Sequence, residues 1–490
     1  DGSPMVADAD VNGWKTILVG GLNAGGQGYY ALDITNPANF SESNAGNIVL
    51  WEFTDEDDPD LGYTFNQPRR FNDQIPDAAQ IRKMANGRWA VIVGNGYNNT
   101  EEDDSGACAD DDEATPCTFS TTGHAVLYIL FLDGGLDGQW SIGTDFIKIE
   151  LDKDNHLDTE DGYRLSPSGL STPFVVDADG DDDVDFIYAG DLRGNLWKFD
   201  VTSSDSDDWG IALAGNPLFT AKDAGGINLQ PITSAPTVTP HPNGGFMVSF
   251  GTGKYLENSD VDPDPALTPP FRTQTLYGLW DKTGDQARSI ANRATLVEQT
   301  VVKTETVGTV SYRIISQNPV TWIDDQTTVG NEAKDGWYLD LPNSSTTGER
   351  LAYNPLLRFG RFIATTLIPS STPCESGGKS WVMELDYLTG GRLDSSPFDV
   401  NGDGQINDRD LRTVTVDGEE VPAAVGGLLL DVGISPTPTV IDGGESLPGG
   451  TPPELQEFKI FSGSTGAIQS VKESVPAGRR GRINWREITE

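Results

Sequence analysis

The chain reads as an all-β protein, a β-propeller with inserted loops, on three observations. Helical periodicity is almost absent, and short apolar runs end in Gly, Asn, Asp or Pro. A strand–loop–strand unit that closes in Asp recurs along the chain. Short Pro-led strands precede several of these units. One such unit cannot bury both faces of its small sheet, whereas several packed radially can. A β-sandwich also shows short strands, but recurrence of a single motif favours the propeller.

In order, the first copy is TILVGGLNAGGQGYYALDIT, from Thr16 to Thr35. The second is AVIVGNGYNN (Ala90 to Asn99), an acidic loop, and HAVLYILFLDGG (His124 to Gly135). The third is DFIYAGDLRGNLWKFDVT (Asp185 to Thr202). The fourth pairs GFMVSFGTGKYLE (Gly245 to Glu257) with QTLYGLWDKTG (Gln274 to Gly284). The fifth pairs RFIATTLIPS (Arg361 to Ser370) with KSWVMELDYLTGG (Lys379 to Gly391), and a weaker sixth is FKIFSGSTGAI (Phe458 to Ile468). Pro-led strands are expected at Ser3 to Val6, Ser171 to Val175, Ser234 to Val238 and Thr437 to Val440, since Pro is tolerated where no ladder donor is needed. The closing aspartates, Asp33, Asp133, Asp200, Asp281 and Asp386, are irregularly spaced, so insertions decorate a basic unit. Pro-, Ser- and Asp-rich stretches at 99–123, 202–209, 258–273 and 441–456 read as surface loops within one domain spanning 1–490. Residues 285–348 hold β-like runs without a clear copy of the repeat.

The balance of 33 basic against 75 acidic residues, a formal net charge of −42, excludes nucleic acid as a partner, because phosphates would be repelled. Anionic membrane surfaces are disfavoured for the same reason. No stretch approaches a transmembrane helix. The beginning, DGSPMVADAD, is not a signal peptide and enters a strand at once, so a mature fragment or the ordered part of a longer secreted protein is expected. Cys108 and Cys117 bracket an acidic loop and are suited to a small disulfide in an oxidising compartment, leaving Cys374 over. With only His124, His156 and His241, far apart, no zinc site is expected.

The strongest local signal is STPFVVDADGDDDVDFIYAGDL. Asp177, Asp179, Asp181, Asp183 and Asp185 alternate between two apolar strands. Ca²⁺ takes six to eight oxygens, and carboxylates at positions 1, 3, 5 and 9 of such a loop can surround one ion, with the Asp183 carbonyl at position 7. Carboxylates this close repel one another without a cation. Asp182 stands at position 6, where Gly normally permits the turn, which weakens affinity and leaves the site in place. A second loop, DVNGDGQINDRD, fits the EF-hand pattern, as in dockerin repeats, within an insert at about 395–415. Asp399, Asn401, Asp403, the Gln405 carbonyl and Asp410 are its expected ligands, with Asp replacing the final Glu. Four other acidic groups read as solvated turns: LDKDNHLD (Asp152, Asp154, Asp158), DADVNG (Asp8, Asp10, Asn12), TDEDDPDLG and EEDDSG. No GxSxG elbow, P-loop or HExxH occurs, and the Gly-rich GGLNAGGQG lies between strands, so no enzyme is expected.

Long segments resemble the C-terminal domain of the PilY family, tip-associated adhesins and assembly factors of type IV pili. They are ILVGGLNAGGQGYYALDIT, WEFTDEDDPDLGYTFNQP (Trp51 to Pro68), GLSTPFVVDADGDDDVDFIYAGDLRGNLWKFD, SFGTGKYL, TLYGLWD, NPLLRFGRFIATTLIPSSTPCESGGKSWVMELD and the terminal GRINWREI. The resemblance implies a modified, about seven-bladed quinoprotein-like propeller. It implies one Ca²⁺ held by Asp177, Asp179, Asp181, the Asp183 carbonyl and Asp185. It further implies export through the periplasm of a Gram-negative bacterium to the pilus tip or cell surface. Minor pilins and a surface, host receptor or glycan are the implied partners. Pilus extension and retraction, twitching motility and attachment are the implied processes. The family's N-terminal von Willebrand A-like region and its RGD integrin motif are missing from this chain. The resemblance does not extend to the Asp399 loop. Two alternatives stand beside this reading: a quinone-cofactor (PQQ-type) dehydrogenase on the same fold, and a Ca²⁺-dependent lectin.

Overall fold

A computed structural model describes residues 2–65, 80–100, 120, 122–151, 168–257, 260–261, 271–323, 332–342, 344–372, 377–416, 418–442 and 456–474. Its contacts divide the chain into two compact units. The first is Asp1–Tyr255 with Arg272–Leu296, and the second is Leu256–Phe271 with Val297–Glu490.

In the first unit, β1 (Met5–Asp10), β2 (Trp14–Gly21), β3 (Gly28–Asp33) and β4 (Val49–Thr54) form an antiparallel meander. A second meander is β5 (Ile81–Met84), β6 (Trp89–Gly94), β7 (Ala125–Phe131) and β8 (Phe146–Leu151). Then come β9 (Phe174–Val176), β10 (Asp183–Val184), β11 (Phe186–Gly190), β12 (Asn195–Asp200), β13 (Gly210–Ile211) and β14 (Phe219–Thr220). All but β10 form the third sheet; β10 joins β5 of the second. The sheet order β15 (Thr237–Pro240), β16 (Phe246–Gly251), β17 (Thr275–Asp281) completes the unit.

The repeat is this meander. Each Pro-led segment becomes the first strand, the apolar run the second and the aromatic run the third, as in β1–β2–β3, β9–β11–β12 and β15–β16–β17. The closing D-x-T ends the third strand by a local turn. The Thr35 N–H and hydroxyl donate to Asp33 Oδ1 at 3.0 and 2.6 Å, and Thr202 does the same to Asp200 at 3.1 and 2.7 Å. Asp281 departs from the pattern. It is buried, receiving Lys198 Nζ at 2.6 Å and the Tyr188 hydroxyl at 2.5 Å.

β7 shows why the central strands read as unbroken apolar runs. Val126, Tyr128 and Leu130 pack with β1–β4, while Ala125, Leu127, Ile129 and Phe131 pack with the third sheet. Successive side chains point to opposite faces, and here both faces are core. A sheet buried on both faces is what radial stacking of blades requires.

In the second unit, β18 (Leu296–Gln299), β19 (Val301–Val307), β20 (Val310–Ile315) and β21 (Gly336–Asp340) fill the stretch that lacks a copy of the repeat. The strands β23 (Arg361–Pro369) and β24 (Gly378–Asp386) are the fifth copy, preceded by β22 (Leu356–Arg358), which Pro355 leads. The hairpin β25 (Arg412–Val416) and β26 (Glu419–Ala423) follows the second acidic loop. Then β27 (Gly427–Leu430) joins β24 to β20, giving the order β19–β20–β27–β24–β23–β22. The last sheet is β28 (Thr439–Asp442), β29 (Gln456–Ser462) and β30 (Ile468–Ser474).

The closing motif of β24 extends to D-x-x-T-G. Asp386 Oδ1 accepts from the Thr389 N–H at 2.8 Å, and Gly390 turns with φ +68°. A Cβ on Gly390 would lie 2.2 Å from the ring of the fully buried Trp337. Gly390→Ala therefore combines left-handed strain with overpacking and is expected to cost about 2 kcal/mol in urea unfolding. A change below a few tenths would refute that account of the motif.

Candidate metal centre

The loop from Asp177 to Asp185 spans the gap between β9 and β11. The Asp177 carboxylate organises it. Oδ1 accepts from the Gly180 N–H at 2.7 Å and Oδ2 from Asp182 N–H at 2.9 Å. The Asp181 N–H reaches Asp179 Oδ1 at 3.2 Å and the Asp183 N–H reaches Asp181 Oδ1 at 2.9 Å. Asp185 closes the loop, its Oδ2 accepting from Ala178 N–H at 2.7 Å. Gly180 and Asp182 both take left-handed φ, +84° and +73°, so Asp182 adopts the turn normally left to Gly.

This folding brings carboxylate oxygens of Asp177, Asp179 and Asp185 within 4.8 Å of one another. Among the described residues it is the one such group of three or more acidic, His or Cys side chains. The donor set is all oxygen, hard and flexible, and fits Ca²⁺. Burial, with the charges of Asp179, Asp177 and Asp181, pushes the Asp185 carboxyl above its usual range, against the Ala178 N–H. Asp181 sits outside this trio, bound to the Asp183 N–H. The Asp183 side chain is taken by Lys83 Nζ at 2.6 Å, leaving its carbonyl as the group the loop pattern calls for.

The second loop repeats this backbone. Asp399 accepts from the Gly402 and Gly404 N–H groups, both at 2.8 Å. Asn401 accepts from Asp403 and Asp403 from Gln405, each at 2.8 Å. Gly402 and Gly404 are left-handed at φ +75° and +80°. The closing Asp410 again binds the N–H of position 2, Val400, at 2.8 Å, and it is fully buried. Asp410 also forms a capping box with Asn407 on a short 3₁₀ turn. The Asp399, Asp403 and Asp410 carboxylates are not drawn into one group as those of the first loop are.

Other acidic segments resolve differently. Asp8 and Asp10 lie at the end of β1 and Asn12 in the β1–β2 turn, with the Gly13 N–H on Asp10 at 2.9 Å and the Thr16 hydroxyl on Asp8 at 2.7 Å. TDEDDPDLG is not a solvated run: Asp55, Asp58 and Asp60 are buried. Lys148 Nζ binds Asp58 at 2.8 Å and Asp60 at 2.6 Å, the Tyr128 hydroxyl donates to Asp58 at 2.9 Å, and Ser120 donates to Asp60. Burial opposes the Lys148 ammonium, but these carboxylates outweigh it and raise its pKa. Paired with a cation, these charges need no metal. Cys108, Cys117, Cys374, EEDDSG and Asp152 to Asp158 lie outside the described residues.

Sequence reasoning passed over Arg82 and Lys83 on β5. Arg82 donates to the Asp182 carbonyl at 3.2 Å and lies 4.0 Å from Asp177 Oδ2. No local pattern marks them, because they lie about a hundred residues from the loop.

With this geometry in view, a model of the PilY1 β-propeller domain matches residues 1–115 and 155–311, more than half of the chain. The chain belongs to this family. The type IV pilus biogenesis factor PilY1 of Pseudomonas aeruginosa is 33% identical over 481 residues, covering 91% of this chain and 36% of that protein. A PilY1 homolog from Xylella fastidiosa is 36% identical over 400 residues, covering 80% of this chain and 23% of that protein. The chain thus spans about a third or less of these relatives. The crystal structure of the P. aeruginosa PilY1 C-terminal domain aligns with a TM-score of 0.68 at 29% identity, covering 96% of this chain and 83% of that one. The sheets described above are therefore those of a PilY1 propeller. Among the described residues, no helix is long and apolar enough to cross a membrane.

Proposed function

We propose that this PilY1 propeller is a Ca²⁺-binding, surface-exposed module of a type IV pilus system, acting as a tip-associated adhesin and a regulator of pilus assembly and retraction. The observation that carries the reading is the convergence of Asp177, Asp179 and Asp185 on a loop between two strands of a PilY1 domain. Family membership supports the pilus setting, since the relatives are named as type IV pilus biogenesis factors. Minor pilins, and a surface, host receptor or glycan, are the proposed partners, and the extracellular side is the proposed location.

Asp177, Asp179, Asp181, the Asp183 carbonyl and Asp185 would hold the ion. Bound there, it supplies positive charge that offsets carboxylate repulsion. The loop's own N–H groups orient the Asp177 and Asp185 carboxylates toward the site. A ligand that binds the folded state alone at about 100-fold excess over Kd stabilises it by about 2.7 kcal/mol. That is enough to select one arrangement of a partner-binding face. Asp399, Asn401, Asp403, the Gln405 carbonyl and Asp410 are proposed as a second, weaker site that steadies the insert.

Calorimetric Ca²⁺ titration of the metal-stripped protein tests this, beside Asp185→Ala and Asp403→Ala. Two binding events are expected, one lost in each variant. Absence of heat at millimolar Ca²⁺ would reduce both loops to acidic turns. In cells, Asp185→Ala is expected to alter twitching and attachment at limiting Ca²⁺; unchanged behaviour would remove the regulatory role. A quinone enzyme would instead show a visible absorbance band in the purified protein.

A further inference from the structure

We propose that the Asp177–Asp185 loop is a clasp between two sheets, and that Arg82 and Lys83 are the positioning residues that carry its occupancy into β5. The inference rests on the Ca²⁺ reading above and goes beyond it, since it concerns what the loop grips.

Positions 7 and 8 of the loop are themselves a strand. β10 pairs in parallel with β5, Asp183 opposite Lys83 and Val184 opposite Met84. Val184 and Met84 are both fully buried in the core cluster that joins the second and third sheets. The loop therefore belongs by chain to the β9–β11 hairpin and by main-chain pairing to the neighbouring sheet.

Arg82 acts on the weak point of the loop. Asp182 is left-handed where Gly is normally needed, and the Arg82 guanidinium holds its carbonyl at 3.2 Å while lying 4.0 Å from Asp177 Oδ2. The Arg82 and Asp177 side chains are only 11% and 5% exposed, so this cation is fixed in place. Lys83 binds the Asp183 carboxylate at 2.6 Å, which keeps that side chain away from the ion and presents the carbonyl. A strained conformation persists where its surroundings over-determine it, and here the surroundings come from the next sheet. Ordering the loop around an ion then also orders β10 against β5.

Two measurements on the full chain test this. Hydrogen exchange with and without Ca²⁺ is expected to slow by about tenfold or more at amides 178–185 and also at 81–84. In Arg82→Gln/Lys83→Met at saturating Ca²⁺, protection is expected to remain in the loop and disappear from β5. The second measurement is calorimetric. Removing the positive charge of Arg82 by electrostatics alone would tighten Ca²⁺ binding. A positioning role predicts the opposite sign: Arg82→Gln weakens binding by about tenfold. Asp182→Gly in that background returns most of it, although it removes a negative charge. Protection confined to 178–185 in the native chain, or tighter binding by Arg82→Gln, overturns the clasp while leaving the Ca²⁺ site standing. No binding and no protection anywhere overturns the Ca²⁺ reading and the clasp with it.

Discussion

Lys459→Met is expected to lower stability by about 3–5 kcal/mol in urea unfolding. Lys459 is fully buried, and its ammonium binds Glu384 at 2.6 Å, Glu457 at 3.3 Å and Glu473. Arg358 binds Glu457 at 3.0 and 2.9 Å, and Arg361 reaches Glu384 at 3.3 Å and Glu473 at 3.9 Å. Three cations thus interleave with three carboxylates, all buried, between β22–β24 and β29–β30. Methionine would fill the volume of the lysine stem but leave three buried carboxylates facing two guanidinium groups. An uncompensated buried charge costs far more than the pair contributes. Glu473→Gln added to Lys459→Met is expected to recover part of the loss, because it restores the charge balance. A single-variant cost below about 1 kcal/mol would show that water reaches this network. The network also flanks the β22–β23 turn. Phe359 takes φ +50° there, a region bulky residues avoid, between the two arginines the carboxylates hold.

The second large effect is expected at Asp191. Its carboxylate is 1% exposed and closes the β11–β12 hairpin. Oδ1 accepts from the Arg193 and Asn195 N–H groups at 2.8 Å each. Oδ2 accepts from Asn195 Nδ2 at 2.9 Å and Trp197 Nε1 at 2.8 Å. Asp191→Ala leaves these donors unpaired in a buried site and is expected to cost about 3 kcal/mol at pH 7. Burial outweighs the four donors and pushes the carboxyl up to about 6. The folded state therefore takes up a proton at higher pH than the unfolded chain, whose carboxyl titrates near 4. The pH-dependent part of what this group contributes is fully present below about pH 4 and is lost as pH rises through about 6, leaving the hydrogen bonds of the ionised form. The gap between native and Asp191→Ala proteins is accordingly expected to widen by about 1–2 kcal/mol between pH 7 and pH 4.5. A gap that narrows over that range would mean that the donors, not burial, set the proton affinity.

Much of the scaffold was legible because its signals are local. A Pro before an apolar run marks the first strand of a sheet, since Pro cannot donate to the ladder. An Asp two residues before Thr marks the end of the third strand at Asp33 and Asp200, because side chain and backbone close the turn within three residues. The Asp177–Asp185 loop belongs to the same class. Its alternating carboxylates bind amides two to seven residues away, so spacing alone carried its shape. The Asp399 loop was legible to the same depth in its backbone. The spread of its carboxylates was not, since Asp410 answers to a buried cap.

What the sequence by itself determined is therefore the all-β repeat, the strand roles within each meander, and the two loops whose amides and carboxylates find each other locally. The tertiary structure alone decided which charges lie inside. Asp58 and Asp60 looked like surface residues until Lys148 arrived from about ninety positions away, and Lys459 meets Glu384 across seventy-five. It also decided that β10 would pair with β5, placing Arg82 and Lys83 against the acidic loop. The physical reason is that a charge is buried only where its partner's position is already set, and that position depends on the packing of whole sheets.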